Sequence, residues 1–382
     1  MYCVVLKKNI HQKHNYIKVK NENLTYNVLH SLHRPFHRPL WIVKWVCFFY
    51  VKRQRQKNNC FYYQDTTIDF YFTLLEWLYN GFPKDSDGIP SQDAINAVYL
   101  QFSNIEVEDR PFYLKEILSK EKRIGVEKQI YSTYKAASYY LNLAIDKLHF
   151  LDNDGNSLVW DNESLIRNRR TSNISQNDKK MYLRQILRFD AHFFLSMCLL
   201  HRESLRYGLR QDEIVFDFLQ RYYPIPRFDY IHRSHQNYYD VRSYWVKLLS
   251  AVSSKGLVSK TVIRLLEEDK SCLLIYQDIL NNINEYRVEL RIKNRFNNQK
   301  KKFLSAYKTL LKRQDCVNGY VDLYALLVSM KMSYKSFSAF LKEFYETERM
   351  SRNIFFINIV STIDQKKRFY IRETPVLKIK IS

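Results

Sequence analysis

PFYLKEILSKEKRIGVEKQIYSTYKAASYYLNLAIDKLHFLDNDGNSLVW, residues 111–160, sets a short helix pattern, a longer amphipathic helix and a tight hairpin in that order. Pro111 suits a helix start, and Leu114, Ile117 and Leu118 mark the inner face of the first helix. In the second, Ile130, Tyr134, Ala137, Leu141, Ala144 and Leu148 recur at three- and four-residue spacing and line one face of a 3.6-residue period. The opposite face carries Lys128, Tyr131, Ser132, Lys135, Tyr139 and Asn142. Long cations, phenols and an amide on one stripe are groups that reach phosphate oxygens and base edges when a helix lies in a major groove. The runs Leu148–Leu151 and Leu158–Trp160 flank Asn153-Asp154-Gly155-Asn156, a strong hairpin signal, and helix, helix, hairpin is the order of a winged helix. The expected wing has an acidic tip, Asp152 and Asp154, which argues against that wing gripping phosphate.

Composition bounds the rest. The chain has 382 residues, 46% hydrophobic and 15% aromatic, enough for two or three domains with real cores and too apolar for global disorder. Seven glycines and eight prolines supply little turn chemistry for an all-β sandwich and no Gly-rich phosphate loop. The net charge of +22, from 61 Lys and Arg against 39 acids, favours a polyanionic partner, and charge alone does not separate DNA, RNA and an anionic membrane surface. Cysteines at 3, 47, 60, 198, 272 and 316 never form a C-x-x-C pair, which argues against a zinc ribbon or finger. Cys198 falls in an apolar helix pattern, where a buried reduced thiol is expected, and a reducing cytoplasm fits this usage. No cofactor or metal is expected. The run Leu40–Val51 is broken by Lys44 and falls short of the roughly 20 residues that span a bilayer, so no membrane partner is expected, and the first twenty residues lack the apolar core of a secretory signal.

Four zones follow along the chain. Residues 1–62 hold twelve Lys and Arg and a single acid, Glu22, with His33, Arg34, His37 and Arg38 beside Trp41 and Trp45. They read as a basic arm along phosphates, a poorly ordered tail, or an extension upstream of the true start. Residues 63–162 add two supporting helices, one ending at Asn80-Gly81 and one capped by Ser91, to the first winged helix. Residues 163–313 begin with a polar linker carrying Arg167, Arg169 and Arg170. A long helix capped by Ser175 follows, with Tyr182, Ile186, Phe189, Phe193 and Met197 inside, then a helix over Gln211–Tyr222. Tyr238–Ser250 and Ser259–Glu268 leave room for a further winged helix, without a wing sequence after them. A basic run from 285 to 313 includes Lys300, Lys301 and Lys302.

Residues 314–382 repeat the opening order. Val321, Tyr324, Leu327 and Met330 mark a helix, Lys331-Met332-Ser333 a turn, and Phe337, Phe340, Leu341 and Phe344 the inner face of a second helix with Lys335, Ser338, Lys342 and Arg349 outside. Strand-like runs at Ile354–Thr362 and Arg368–Glu373 frame a second wing, basic at Lys366, Lys367 and Arg368, and Val376–Ile381 can add a third strand. The expected fold is mainly α with small β-hairpins: tandem winged-helix units around a central helical bundle.

Catalytic signals are sparse. Glu289-Leu290-Arg291-Ile292-Lys293 sets a carboxylate and a lysine on one strand-like run, one residue longer than the E-x-K of many nucleases, with Asp278 as a distant partner. His232 and His235 with Asp229 and Asp240 lie in a Tyr- and Arg-rich loop, and Tyr238 and Tyr239 are two of 30 tyrosines. The segment Tyr134-Lys135-Ala136-Ala137-Ser138-Tyr139-Tyr140-Leu141-Asn142-Leu143-Ala144, running through a hairpin into a helix with Phe193-Phe194-Leu195, resembles winged-helix DNA-binding regions of prokaryotic restriction and phage-defence proteins. The resemblance implies a recognition or scaffold subunit that binds duplex DNA beside separate catalytic partner subunits. A metal-dependent nuclease with a divergent site, a plasmid replication initiator and a purely structural protein stand as alternatives.

Overall fold

The apolar run that is too short to span a bilayer is a buried helix. A computed structural model describes residues 4–6, 16–19, 25–27, 32, 35–55, 65–81, 88–152, 154–167, 172–223, 233–312, 317–358 and 368–382. The chain divides into two compact units, 1–284 and 285–382, in place of the four zones read from composition. Helix dominates both, with small antiparallel sheets. Among the described residues no helix is long and apolar enough to cross a membrane.

The first unit opens with a three-stranded antiparallel sheet, β1 (Val4–Leu6), β2 (Tyr16–Val19) and β3 (Thr25–Asn27). Helix α1 (Trp41–Arg55) follows. Ile42, Val43, Val46, Cys47, Phe49 and Val51 on it are all buried, as are Trp41 and Trp45. A helix that is apolar all round has no stripe for periodicity to find. For residues 35–55 this replaces the reading of an arm, a tail or an upstream extension; His33 and Arg34 lie outside the described residues. Helix α2 (Thr66–Gly81) packs Trp77 edge-on against Trp45 at 5.6 Å and Phe70 against Phe49 at 5.2 Å. Helices α3 (Gln92–Ser103), α4 (Arg110–Ser119) and α5 (Gly125–Asn142, extended by a π turn over Leu143–Lys147) complete this layer. Ser91 caps α3 by accepting from the Ala94 amide, as its spacing predicts.

The expected hairpin after α5 forms no extended ladder. Its runs share one isolated bridge, Leu151 to Ser157, and Phe150 and Trp160 turn inward to stack on each other at 5.2 Å. The Asp152 carboxylate accepts from the Asp154 and Asn156 amides at 3.0 and 2.7 Å, closing the turn on itself. Helix α1 holds it from below. Gln54 Nε2 donates to the Asp154 carbonyl at 2.9 Å, and Gly155 (φ +80°) lies so close to Tyr50 that a Cβ there would stand 2.5 Å from the ring. The N-D-G-N signal identifies the turn correctly, and burial of its flanks prevents a free ladder.

Helix α6 (Asn162–Arg167) leads to α7 (Gln176–Phe189), whose N-terminus is a capping box: Ser175 Oγ accepts from the Asp178 amide while the Ser175 amide donates to the Asp178 carboxylate. The other Asp178 oxygen accepts from Lys44 Nζ at 2.9 Å and from Trp160 Nε1 at 3.0 Å. The expected single long helix breaks at Asp190 (φ −136°) into α7 and α8 (Ala191–Tyr207). Arg242 from α10 grips the Asp190 carboxylate with two bonds of 2.6 and 2.5 Å, both side chains fully buried, and lies 4.4 Å over the Phe193 ring. Cys198 on α8 is buried as expected, and burial pushes its thiol pKa well up. Helices α9 (Gln211–Tyr222), α10 (Arg233–Leu248) and α11 (Lys260–Glu268) follow. Between α10 and α11 there is again only an isolated bridge, Val252 to Val258. Helix α12 (Lys270–Leu311) passes from the first unit into the second.

In the second unit, Phe296, Phe303, Tyr307 and Leu310 from the end of α12 form one core with β4 (Val321–Asp322), α13 (Leu323–Met330), α14 (Tyr334–Glu348), β6 (Phe369–Ile371) and β7 (Thr374–Ile381). Strand β5 (Ile354–Asn358) adds Ile354 and Phe356 to its margin. The sheet order is β4-β7-β5, with β6 also on β7. The runs expected to pair as a wing, β5 and β6, therefore both pair with β7, the strand expected only as an addition. Val376 faces Asn358 on one side and Phe369 on the other. The tight hairpin is β6–β7, turning at Arg372 (φ 47°) and Glu373.

Burial alone would raise the Asp178 carboxyl; the hydrogen bonds from Lys44 and Ser175 and the Lys44 charge outweigh it and hold the pKa below the ordinary aspartate value. That stabilisation is present above about pH 4 and is lost as pH falls through the folded pKa. Lys44→Met is expected to destabilise the chain by about 3–5 kcal/mol at neutral pH, because it removes the cation from a buried carboxylate. The gap from wild type should narrow below about pH 4, where the variant's Asp178, without Lys44 to hold its carboxyl low, protonates and no longer leaves an unpaired buried charge. Urea unfolding at the two pH values measures it, and a gap independent of pH would refute the assignment.

Candidate nucleic-acid interface

A helix, a three-residue turn and a second helix occupy one side of the second unit. Asp322 caps α13 by accepting from the Ala325 amide at 2.9 Å. Lys331 ends it in the left-handed region (φ 53°), and Ser333 caps α14 by accepting from the Ser336 amide at 3.3 Å. Phe337, Phe340, Leu341 and Phe344 then bury one face of α14, as their spacing predicts. The 3.6-residue period sets Lys335, Ser338, Lys342, Glu346 and Arg349 along the opposite stripe. Lys335 and Lys342 are exposed. Glu346 is occupied by Arg349 at 3.2 Å and by Arg372 of the β6–β7 turn at 3.1 Å; the Arg372 hydrogen bond chiefly holds its carboxyl below the usual range.

The first turn of α14 is pinned to the sheet. The Tyr334 ring stacks on Phe369 at 4.9 Å and its hydroxyl donates to the Arg368 carbonyl. This brings Arg368 beside the N-terminal end of α14, at Tyr334, the chain neighbour of Lys335. Arg368 is half-buried, and among the described residues its Nε has no hydrogen-bond partner. Lys366 and Lys367 lie outside the described residues, as do Arg169 and Arg170. Arg167 is the last residue of α6.

The three lysines at the end of α12 separate by role. Lys301 and Lys302 are exposed, whereas Lys300 pairs with Glu348 at 2.5 Å, and Arg352 reaches the same carboxylate at 2.8 Å. Burial would raise the Glu348 carboxyl; the two cations outweigh it and hold it low. Lys300 is thus a tie between α12 and α14, a correction to its reading as a phosphate contact.

The α5 stripe is divided along its length. Lys128, Ser132 and Lys135 are exposed. Tyr131 lies under the Arg123 guanidinium at 4.1 Å, with Lys135 Nζ 5.5 Å from its ring. Arg123 also donates to the Ile117 and Leu118 carbonyls at 2.8 and 2.5 Å, capping α4. Sequence reading missed Arg123, although a cation just beyond a helix end is a recognisable capping signal. Toward the C-terminal end the stripe is covered. Phe36 stacks on Tyr139 at 5.6 Å, His37 Nε2 lies 3.1 Å from its carbonyl, and Asn142 donates to Asp146 at 2.6 Å. Tyr139 is therefore packed against Phe36 and His37, and Asn142 is engaged by Asp146 one turn on.

Charge follows the same division. Residues 63–284 hold 28 Lys and Arg against 29 acids, so the α5 stripe belongs to an electrically balanced segment. Residues 285–382 hold 21 against 9.

The residues of the expected nuclease set lie on one helix. Glu289, Lys293 and Asp278 all lie on α12, not on a strand, and eleven residues of helix set Asp278 about 16 Å from Glu289 along the axis, too far to share one ion. Of the His232, His235, Asp229 and Asp240 set, the first and third lie outside the described residues. Among the described residues no group of three or more His, Cys, Asp or Glu side chains is placed to hold a metal ion. No protein-family model matches the chain, and no curated protein or solved structure is similar enough to count as a match.

Lys300→Ala is expected to lower the thermal unfolding midpoint of the full chain, and Lys301→Ala and Lys302→Ala to leave it unchanged. Scanning calorimetry of the three variants checks this, and equal midpoints would return Lys300 to the surface set.

Proposed function

We propose that the chain binds duplex DNA through its second unit, with α14 as the groove-facing helix, and that it acts as a non-catalytic recognition or scaffold subunit beside a catalytic partner. The observation that carries this reading is the arrangement around α14. A helix, a short strand, a helix–turn–helix and an antiparallel sheet in the order β4-β7-β5 are the parts of a winged helix. The groove-facing helix of that motif contacts bases near its N-terminus, where Lys335 stands and where Tyr334 anchors the strand that begins at Arg368. Residues 359–367, which include Lys366 and Lys367, fall between β5 and β6 in the sequence. Exposed Lys301, Lys302, Lys335 and Lys342, in a segment with more than twice as many cations as acids, supply the phosphate contacts that dominate such affinities. On α5, Lys128, Ser132 and Lys135 form a smaller, secondary surface. The setting implied by the resemblance of the sequence is a restriction or phage-defence system.

Charge reversal at Lys335 and Lys342 together is expected to weaken binding to a labelled duplex by about tenfold or more. It should also reduce the slope of log affinity against log salt by about 2, one phosphate contact for each lysine. The same reversal at Lys128 and Lys135 should cost less. Fluorescence anisotropy over a salt series measures both. Unchanged affinity in the α14 pair would reject the interface, and abolition by the α5 pair alone would move it to the first unit.

A further inference from the structure

The sheet of the second unit has two faces, and among the described residues of that unit the core packs against one of them. Ile354, Phe356, Ile379 and Ile381 turn toward the helices. Strand alternation sends their neighbours the other way. Phe355 lies opposite Lys380 and Ile357 opposite Lys378, and directly opposed residues of an antiparallel pair share a face. Phe355 is 49% exposed, and Tyr370, opposite Pro375 between the buried Phe369 and Ile371, is 43% exposed. Lys380 extends its stem over Gly319 and sets its ammonium 5.7 Å from the Tyr320 ring. The acid opposite Lys378, Asp322, is engaged as the cap of α13.

We propose that this outer face is a platform for single-stranded nucleic acid, with bases stacked on Phe355 and Tyr370 and phosphates held by Lys378 and Lys380. Three features select that occupant. Flat rings on a rigid sheet offer every base a stacking surface, whatever the sequence. Two lysines at alternate positions of one strand stand about 7 Å apart, an interval at which an extended strand can present successive phosphates. An apolar protein partner would cover two ammonium groups with one acid, Asp322, beside them, whereas a polyanion brings the matching charge. A duplex cannot use the rings, because its bases are already stacked on one another. This surface is distinct from the α14 stripe, on the opposite side of the sheet from the helices, and it does not depend on α14 reading duplex DNA.

The test uses the full chain and labelled oligothymidylate and oligouridylate of about 18 nucleotides, long enough to cover one such platform. Phe355→Leu with Tyr370→Leu keeps apolar bulk and removes both π-faces. It is expected to weaken oligothymidylate binding by about tenfold or more, with less than about a twofold change in duplex affinity. Lys335→Glu with Lys342→Glu should do the converse. In a separate variant, Phe355→Trp, the new indole should be quenched when the oligonucleotide is added, a readout that needs no loss of binding. Comparing the two oligonucleotides reads whether the sugar matters. Failure of the wild-type chain to bind either at low salt, wild-type affinity in the leucine variant, or unchanged tryptophan emission at saturation would each overturn the proposal. So would a dimer of the wild-type chain that Phe355→Asp dissociates and oligothymidylate does not disturb, since the face would then be a protein interface.

Discussion

One ammonium group, Lys44 Nζ, sits among the buried residues of α1 and meets one carboxylate, Asp178, with Trp160 alongside. A lone charge at that depth would be strongly unfavourable, and so would the carboxylate without its cation. Each therefore fixes the other, and the pair fixes much else. Asp178 cannot leave the ion pair without opening the α7 cap, because its second oxygen holds the Ser175 amide and hydroxyl. Trp160 cannot turn outward without losing its indole partner, so the segment after α5 is drawn inward. Helix α1 then lies against the turn at Gly155 through Tyr50 and Gln54. The same logic recurs at Asp190 and Arg242, where α7 gives way to α8.

These pairs also explain where charge is available. In the first unit arginines are matched by acids: Arg184 with Glu268, Arg188 with Asp269, Arg242 with Asp190. In the second unit Glu348 and Glu346 are each shared by two cations. Lys335 and Lys342 on α14 and Lys301 and Lys302 at the end of α12 stay exposed. An excess of this kind costs self-repulsion in the folded state, which a polyanion relieves.

Legibility in the sequence depended on whether a segment has one buried face or several. Helix α14 has one, so Phe337, Phe340, Leu341 and Phe344 announced it, and Ser333 announced its start. Helix α1 has no exposed stripe, and its acid-poor, aromatic text read as something other than a folded core. The turn at Asn153–Asn156 was legible because its chemistry is local; its role as a clasped loop was not, because Tyr50 and Gln54 lie about a hundred residues away in the chain. In the α5 stripe the residue types were right for an interface, yet Tyr139 is covered by Phe36 and His37, which no local pattern reveals. The order of strands in the second unit was hidden for a similar reason. Alternation identifies Val376–Ile381 as a strand and says nothing of its neighbours.

That strand order has a kinetic consequence. Strand β7 is the centre of its sheet, and its partner Val321 on β4 lies more than fifty residues upstream of Ile379. Helices α13 and α14 can pack on Phe296 and Phe303 of α12, but the side of Phe337 that meets Phe369 stays open until β7 arrives to hold β6. Long-range closure of this type is slow compared with helix formation. Folding of the second unit is therefore gated by its last strand, and the interval before it docks is when the phenylalanines of α14 are most open to aggregation or to capture by a chaperone.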